Sequence, residues 1–135
     1  MPVFGSQSRK KLSQLHPDLQ LVARESIKIV DFSIIEGHRD KQTQNRYFNA
    51  RPQRSKVQWP DGKQNKIPSE AMDSPAYVNG AISWNKSHNI YVAGVIMATA
   101  YRFGVRIRWG GNWDSDGEVV TDQSFQDLAH YELIL

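Results

Sequence analysis

The sequence predicts an α+β fold, a small antiparallel sheet packed by helices, and three observations carry the prediction. Apolar residues recur at helical spacing between Leu12 and Val30 and again between Ile90 and Phe103. Short runs at 32–36, 105–109 and 131–135 alternate apolar and polar residues with the period of a half-buried strand. Asn79-Gly80 stands between apolar flanks, the signature of a tight hairpin.

In chain order, Ser8 is placed to cap a first short helix carrying Arg9 to Leu12, and Pro17-Asp18 restarts a helix with Leu19, Val22, Ala23, Ile27 and Val30 on one face. Asp31 breaks it, and Phe32-Ser33-Ile34-Ile35-Glu36 follows as a strand ending at Gly37. His38 to Phe48 is a turn feeding a short polar helix, with Arg39 at the mouth of the turn. Asn49 to Gly62 lacks periodicity and is expected as a surface loop. Within it Arg51, Arg54 and Lys56 interleave with Trp59, a pattern open to nucleic-acid contact, but the reading preferred is a solvated loop with one anchoring tryptophan. Lys63 to Asp73 is irregular, and Tyr77 to Trp84 forms the hairpin. Val92, Val95, Ile96, Ala100 and Phe103 mark the face of a buried central helix, with Ala93, Gly94 and Ala98 giving room for close packing. Gly104 stops that helix before the strand Val105 to Trp109. Asn112 to Glu118 carries acidic oxygens at alternating positions but lacks a terminal glutamate at calcium-loop spacing, so an acidic turn is expected.

A chain of 135 residues, 39% of them hydrophobic, suits one domain over residues 1–135 with one core. It has no cysteine, which excludes disulfide scaffolds, thiolate zinc sites and cysteine nucleophiles and leaves histidine, carboxylate and amide groups as metal ligands. The net charge of +3 favours approach to polyanions without selecting one. No apolar run reaches membrane-spanning length and the first residues lack the apolar core of a signal peptide, so a cytosolic chain without membrane partners is expected.

The chemistry-bearing stretch is the tail. Asp127 and His130 stand three apart just before the alternating Tyr131-Glu132-Leu133-Ile134-Leu135 run, so a turn can aim a carboxylate and an imidazole into one cleft. Imidazole is a zinc ligand, and a carboxylate beside a metal can take a proton from bound water. An isolated Asp-x-x-His is common and needs partners upstream.

Those partners complete a resemblance. Gly37-His38-Arg39, Lys63-x-Asn65-x-x-Pro68-Ser69-x-Ala71-x-Asp73, Trp109-Gly110-Gly111-Asn112-Trp113-Asp114 and Phe125-x-Asp127-Leu128-x-His130-x-Glu132-Leu133 together resemble phage endolysin-type zinc peptidases that cut peptidoglycan stem peptides. These are the L-alanyl-D-glutamate endopeptidases, relatives of the D-alanyl-D-alanine carboxypeptidases. The resemblance runs from Leu12 to the C-terminus and implies a D-alanyl-D-alanine peptidase-like fold. It implies Zn2+ as cofactor, with Asp73 and His130 as two ligands, Asp127 as general base, and Arg39 holding the substrate or its polarised carbonyl oxygen. The family's first ligand is a histidine in a Ser-x-His segment, and the register set by Asn65, Pro68, Ser69, Ala71 and Asp73 puts Gln64 there and Gly62 in place of the serine. An amide oxygen is a poor zinc ligand beside imidazole, so a weakened zinc site is expected, with fold and substrate binding surviving better than turnover. A register that ignores Pro68-Ser69 would place Lys66 there, whose ammonium has no lone pair. His38 and His88 are possible substitute ligands, His16 is expected as a surface residue at a helix break, and Trp109 and Trp113 are either groove lining or core anchors. The resemblance further implies a peptidoglycan stem peptide as partner, no nucleic acid, a monomer, and residence in the host cytoplasm before release to the wall. The alternative is a non-catalytic virion or wall-binding component that keeps the peptidase fold.

Overall fold

The computed structural model describes residues 1–115, 117 and 126–135. Phe125 of the tail motif and Asp116 and Glu118 of the acidic loop lie outside the described residues. Four helices, α1 (Ser6–Leu12), α2 (Pro17–Ser26), α3 (Lys41–Asn49) and α4 (Lys86–Arg102), accompany strands β1 (Ala71–Asp73), β2 (Ala76–Val78), β3 (Ala81–Ser83), β4 (Ile107–Trp109) and β5 (His130–Leu133). The α+β expectation holds. No helix of the described residues is long and apolar enough to cross a membrane.

Sheet order is β1-β5-β4, antiparallel throughout. Alternation along these strands divides the sheet into two faces. Met72, Tyr131, Leu133 and Ile107 enter the core, where they meet Leu19, Val22 and Ala23 of α2 and Val92, Ala93, Ile96 and Ala100 of α4. Asp73, His130, Glu132 and Arg108 share the other face, because Asp73 pairs with His130 and Arg108 with Glu132.

Pro17 opens α2 as expected, and the His16 ring caps it by accepting the Asp18 N–H at 3.0 Å. That helix stops at Ser26, short of Val30. Ser8 does not cap α1. Gly5 holds that position, and the Ser8 hydroxyl, buried inside the helix, accepts the Ile34 N–H at 3.0 Å instead. The run 32–36 bridges β1 and β2 only at its ends, Phe32 to Ala76 and Glu36 to Asp73, so it is an extended strap in place of a full strand. The Asn79-Gly80 hairpin forms as expected, with both residues at positive φ, 52° and 81°.

The central helix α4 is buried on one side only. Gly94 and Ala98 lie on its exposed side with Ile90, Tyr91 and Tyr101, and Phe103 beyond its end is also exposed. The two small residues therefore do not serve close packing. At the end of β4 the backbone of Gly110 bonds to His130 and Asp127, and a Cβ there would lie 2.1 Å from the Asp127 carbonyl oxygen. Glycine is required because the turn carrying Asp127 lies directly on this backbone.

Candidate active site

Two separate parts of the chain, the end of β1 and the turn that leads into β5, meet on the open face of the sheet. β1 ends in Asp73, β5 begins with His130, and a turn closed by the His130 N–H on the Asp127 carbonyl at 3.1 Å holds Asp127 beside them. One possible ligand atom from each of these residues lies within 4.8 Å of the others, and among the described residues no other His, Asp or Glu side chains form such a group. His130 Nδ1 lies 3.2 Å from Asp73 Oδ1, and its Nε2 lies 3.0 Å from Glu132 Oε1. Glu132 in turn accepts from the Arg108 guanidinium at 2.8 Å. Residues 130 and 132 share a face because they are two apart on one strand, so β5 supplies both a ring and the carboxylate that orients it.

Asp73 is approached from its other side by two donors. Arg39 Nη2 and Gln64 Nε2 each donate to Oδ2 at 3.2 Å. Arg39 is held by Glu36 through its Nε and by the buried Gln44 side chain at 3.1 Å, and its backbone N–H donates to the Gln64 carbonyl at 2.7 Å. Gln64 is 2% exposed, in a short 3₁₀ turn (Lys63–Asn65). A carboxylate can only accept, so the Gln64 amide must present its NH2 to Asp73 and turn its oxygen elsewhere.

The charges follow from these contacts. Burial works against a charged His130 ring, but the hydrogen bonds to Asp73 and Glu132 and the charges of Asp73 and Asp127 outweigh it and raise its pKa to about 10. Burial also opposes charge on Glu132, yet the bonds from His130 and Arg108 bring its carboxyl down to about 2. Asp73 is likewise held below its ordinary range: its burial is overcome by the His130 hydrogen bond and the His130 and Arg39 charges. Asp127 moves the other way, raised by burial and then by the Asp73 charge. Two neighbouring carboxyls are thus shifted in opposite directions.

The group opens into a cleft of about 560 Å³ lined by Arg39, Gln64, Asp127, His130 and Glu132, with Arg54, Arg108 and Trp113 along its walls. The Trp113 ring lies 5.5 Å from the His130 ring. Trp109 instead packs against the core and donates its indole N–H to the Leu128 carbonyl at 2.9 Å. All five residues singled out in the sequence, Arg39, Gln64, Asp73, Asp127 and His130, therefore meet at one place. His88 does not; it is exposed and pairs with Ser83 Oγ at 2.7 Å. His38 is also outside the group. Nothing in the sequence pattern marks Glu36, Gln44 and Arg108 as supports, and Glu132 stands out only as part of a motif. The one usable signal was the spacing of His130 and Glu132, since period two puts them on the same face.

The donor set suits a divalent cation in part. Asp73, Asp127 and His130 supply oxygen and nitrogen atoms at ligand spacing, while Gln64 offers an N–H toward Asp73 where a lone pair would be needed.

Comparison with known proteins agrees with this architecture. The family model described as phage L-alanyl-D-glutamate peptidase matches residues 2–134. A curated relative, the L-alanyl-D-glutamate peptidase of Escherichia phage T5, is 29% identical over 142 residues, covering 97% of both chains. The crystal structure of the Serratia marcescens L-Ala D-Glu endopeptidase ChiX superposes with a TM-score of 0.77 at 24% identity, covering 98% of this chain and 90% of that one.

Proposed function

This chain belongs to the phage L-alanyl-D-glutamate peptidase family, and from that premise we propose that it is a peptidoglycan hydrolase of the endolysin kind whose metal site is weakened by Gln64. The observation that carries the reading is the convergence of Asp73, Asp127 and His130 at ligand spacing, with Asp127 and His130 lining one cleft. Asp73 and His130 would hold a zinc ion, with Gln64 at the third position. Bound there, zinc supplies Lewis-acid polarisation of the scissile carbonyl and a water of lowered pKa.

The residues have separate tasks. Asp127 stands beside Asp73 without sharing its hydrogen bonds to Arg39 and Gln64, and its raised pKa suits a group that accepts the proton of the attacking water and returns it to the leaving amine. Glu132 fixes the His130 ring through Nε2, which leaves Nδ1 directed at the Asp73 side. Arg39 anchors Asp73 and also lines the cleft, so the N–H groups that its bonds leave over are open to a substrate oxygen. Gln64 must break its bond to Asp73 before its oxygen can turn to a cation, and that bond supports an impaired site.

The same bond favours a second reading, a non-catalytic wall-binding component. Arg39, Gln64 and a charged His130 already satisfy Asp73 without any cation.

The deciding experiment compares this chain with Gln64→His for zinc retained after dialysis and for new amino-terminal glutamate released from peptidoglycan. Retention of about one equivalent and cleavage by the histidine variant alone is the expected result. Zinc and cleavage in both would remove the impairment. Neither in either would sink the peptidase reading and leave the binding component.

A further inference from the structure

Tyr47 on α3 has three guanidinium groups near its ring, Arg46 at 5.8 Å from the centroid and two closer. Arg39 Cζ lies 4.7 Å from the ring centroid and Arg54 Cζ 4.0 Å from it. The Arg54 backbone N–H also donates to the Tyr47 carbonyl at 3.1 Å, so Arg54 is tied to this residue by main chain and side chain alike. The two arginines differ in what else they touch. Arg39 is engaged by Glu36, Gln44 and Asp73. The Arg54 guanidinium makes no hydrogen bond or ion pair with any described residue, yet it lines the same cleft.

Other cations along the cleft are engaged, Lys56 among them. Arg108 is bound to Glu132 at 2.8 Å, and Lys63 Nζ donates to the Leu133 carbonyl at 2.6 Å. At the inner end Glu132 is paired with His130 and Arg108, and Arg39 with Glu36 and Asp73, so the cations there are held by carboxylates. Arg54 stands along the cleft with its fork unused and its ring contact limiting its rotamers.

The substrate class carries a negatively charged group by necessity. In an L-alanyl-D-glutamyl bond the glutamate contributes its amine, and the chain can continue through only one of its two carboxyls. The other remains a carboxylate a few bonds from the scissile nitrogen. We propose that Arg54, stacked on Tyr47, binds this free carboxylate of the glutamate on the leaving side and so selects glutamate there. The proposal rests on the peptidase reading above and deepens it. A guanidinium held in plane matches a carboxylate with two parallel N–H bonds, and prior ordering by Tyr47 reduces the entropy lost on binding.

The test uses N-acetyl-L-alanyl-D-glutamyl-L-lysine with the remaining glutamate carboxyl either free or converted to a carboxamide. Both forms are titrated calorimetrically into the unaltered chain and into Arg54→Ala, with KM read instead wherever turnover occurs. The unaltered chain is expected to prefer the free acid by about three- to tenfold, as for a charged contact at an exposed site, and the preference should shrink as salt is added. Arg54→Ala should remove that preference while binding the carboxamide about as well as before. Equal binding of the two forms by the unaltered chain, or an equal loss of both on substitution, overturns the role of Arg54 and leaves the peptidase reading standing. No binding of either form by the unaltered chain overturns both.

Discussion

Replacing Glu132 by glutamine isolates the contact that holds the histidine ring. The Glu132 side chain is only 10% exposed and accepts from His130 at 3.0 Å and from Arg108 at 2.8 Å. A carboxyl brought from 4.5 down to about 2 corresponds to roughly 3 kcal/mol of folding free energy, at about 1.4 kcal/mol per tenfold. The Arg108 side chain is 43% exposed, so solvent screens its share and a loss of about 2 kcal/mol is expected for Glu132→Gln at pH 6. The sign follows from the lowered pKa. This stabilisation is complete above the ordinary value of 4.5 and disappears as pH falls toward 2. Urea denaturation of both proteins at intervals from pH 6 to pH 2.5 should therefore show a gap that closes as the unaltered chain loses what the variant never had. A histidine titration followed by NMR should find the His130 pKa lower in the variant, because one of the groups raising it has lost its charge. A gap below about 0.5 kcal/mol at pH 6, as for an ordinary surface change, or one that does not narrow in acid, would refute the argument that Glu132 holds the ring as a charged partner.

The raised pKa of His130 has the opposite pH signature. Its stabilisation is complete below about 6.5 and is lost as pH rises through about 10, so denaturation between pH 6 and 10 should show falling stability, and apparent metal affinity should rise about tenfold per pH unit as the competing proton leaves; a flat affinity profile would mean the ring is already neutral. Asp127→Asn, made together with Gln64→His, should lower hydrolysis at least about a hundredfold, as loss of a general base does. Thermal stability should stay level or rise, since the Asp73–Asp127 repulsion is gone; retained hydrolysis would assign the base elsewhere. Gly110→Ala should cost about 2 kcal/mol or more and disturb the site, because its Cβ would press on the Asp127 backbone at 2.1 Å; a thermal shift of less than a degree or so would show that the turn yields freely.

The tail of the chain was legible because period two is a local property. Alternation from His130 to Leu133 needs no knowledge of the rest of the fold, and it already places His130 and Glu132 on one face. The hairpin at Asn79-Gly80 was legible for the same reason, since its backbone demands residues that tolerate positive φ. The contacts that make a site out of these pieces span 34 residues from Arg39 to Asp73 and 57 from Asp73 to His130, and no local pattern encodes them. Only the order of motifs shared with a family brought those residues together before the structure did. Where periodicity was weak, the reading was incomplete. Helix α4 is apolar on most sides, so its pattern could not say that Gly94 and Ala98 face outward. Arg54 sits in a segment without periodicity, and its stacking on Tyr47 depends on where that loop folds back, which no local pattern encodes.

Gln64 is the instructive case. Its place beside Asp73 followed from register alone, but the direction of its amide did not, and that direction follows from chemistry once the carboxylate is seen to accept. Gln64 holds Asp73 by one side-chain bond and Arg39 by its backbone carbonyl, but other contacts fix Asp73 and His130 as well. Asp73 is fixed by the strand ladder and Arg39, and His130 by the same ladder and Glu132. A change at this one position therefore alters the donor set while leaving the strand ladder in place, and a single Gln64→His substitution is a fair trial of the proposed zinc site.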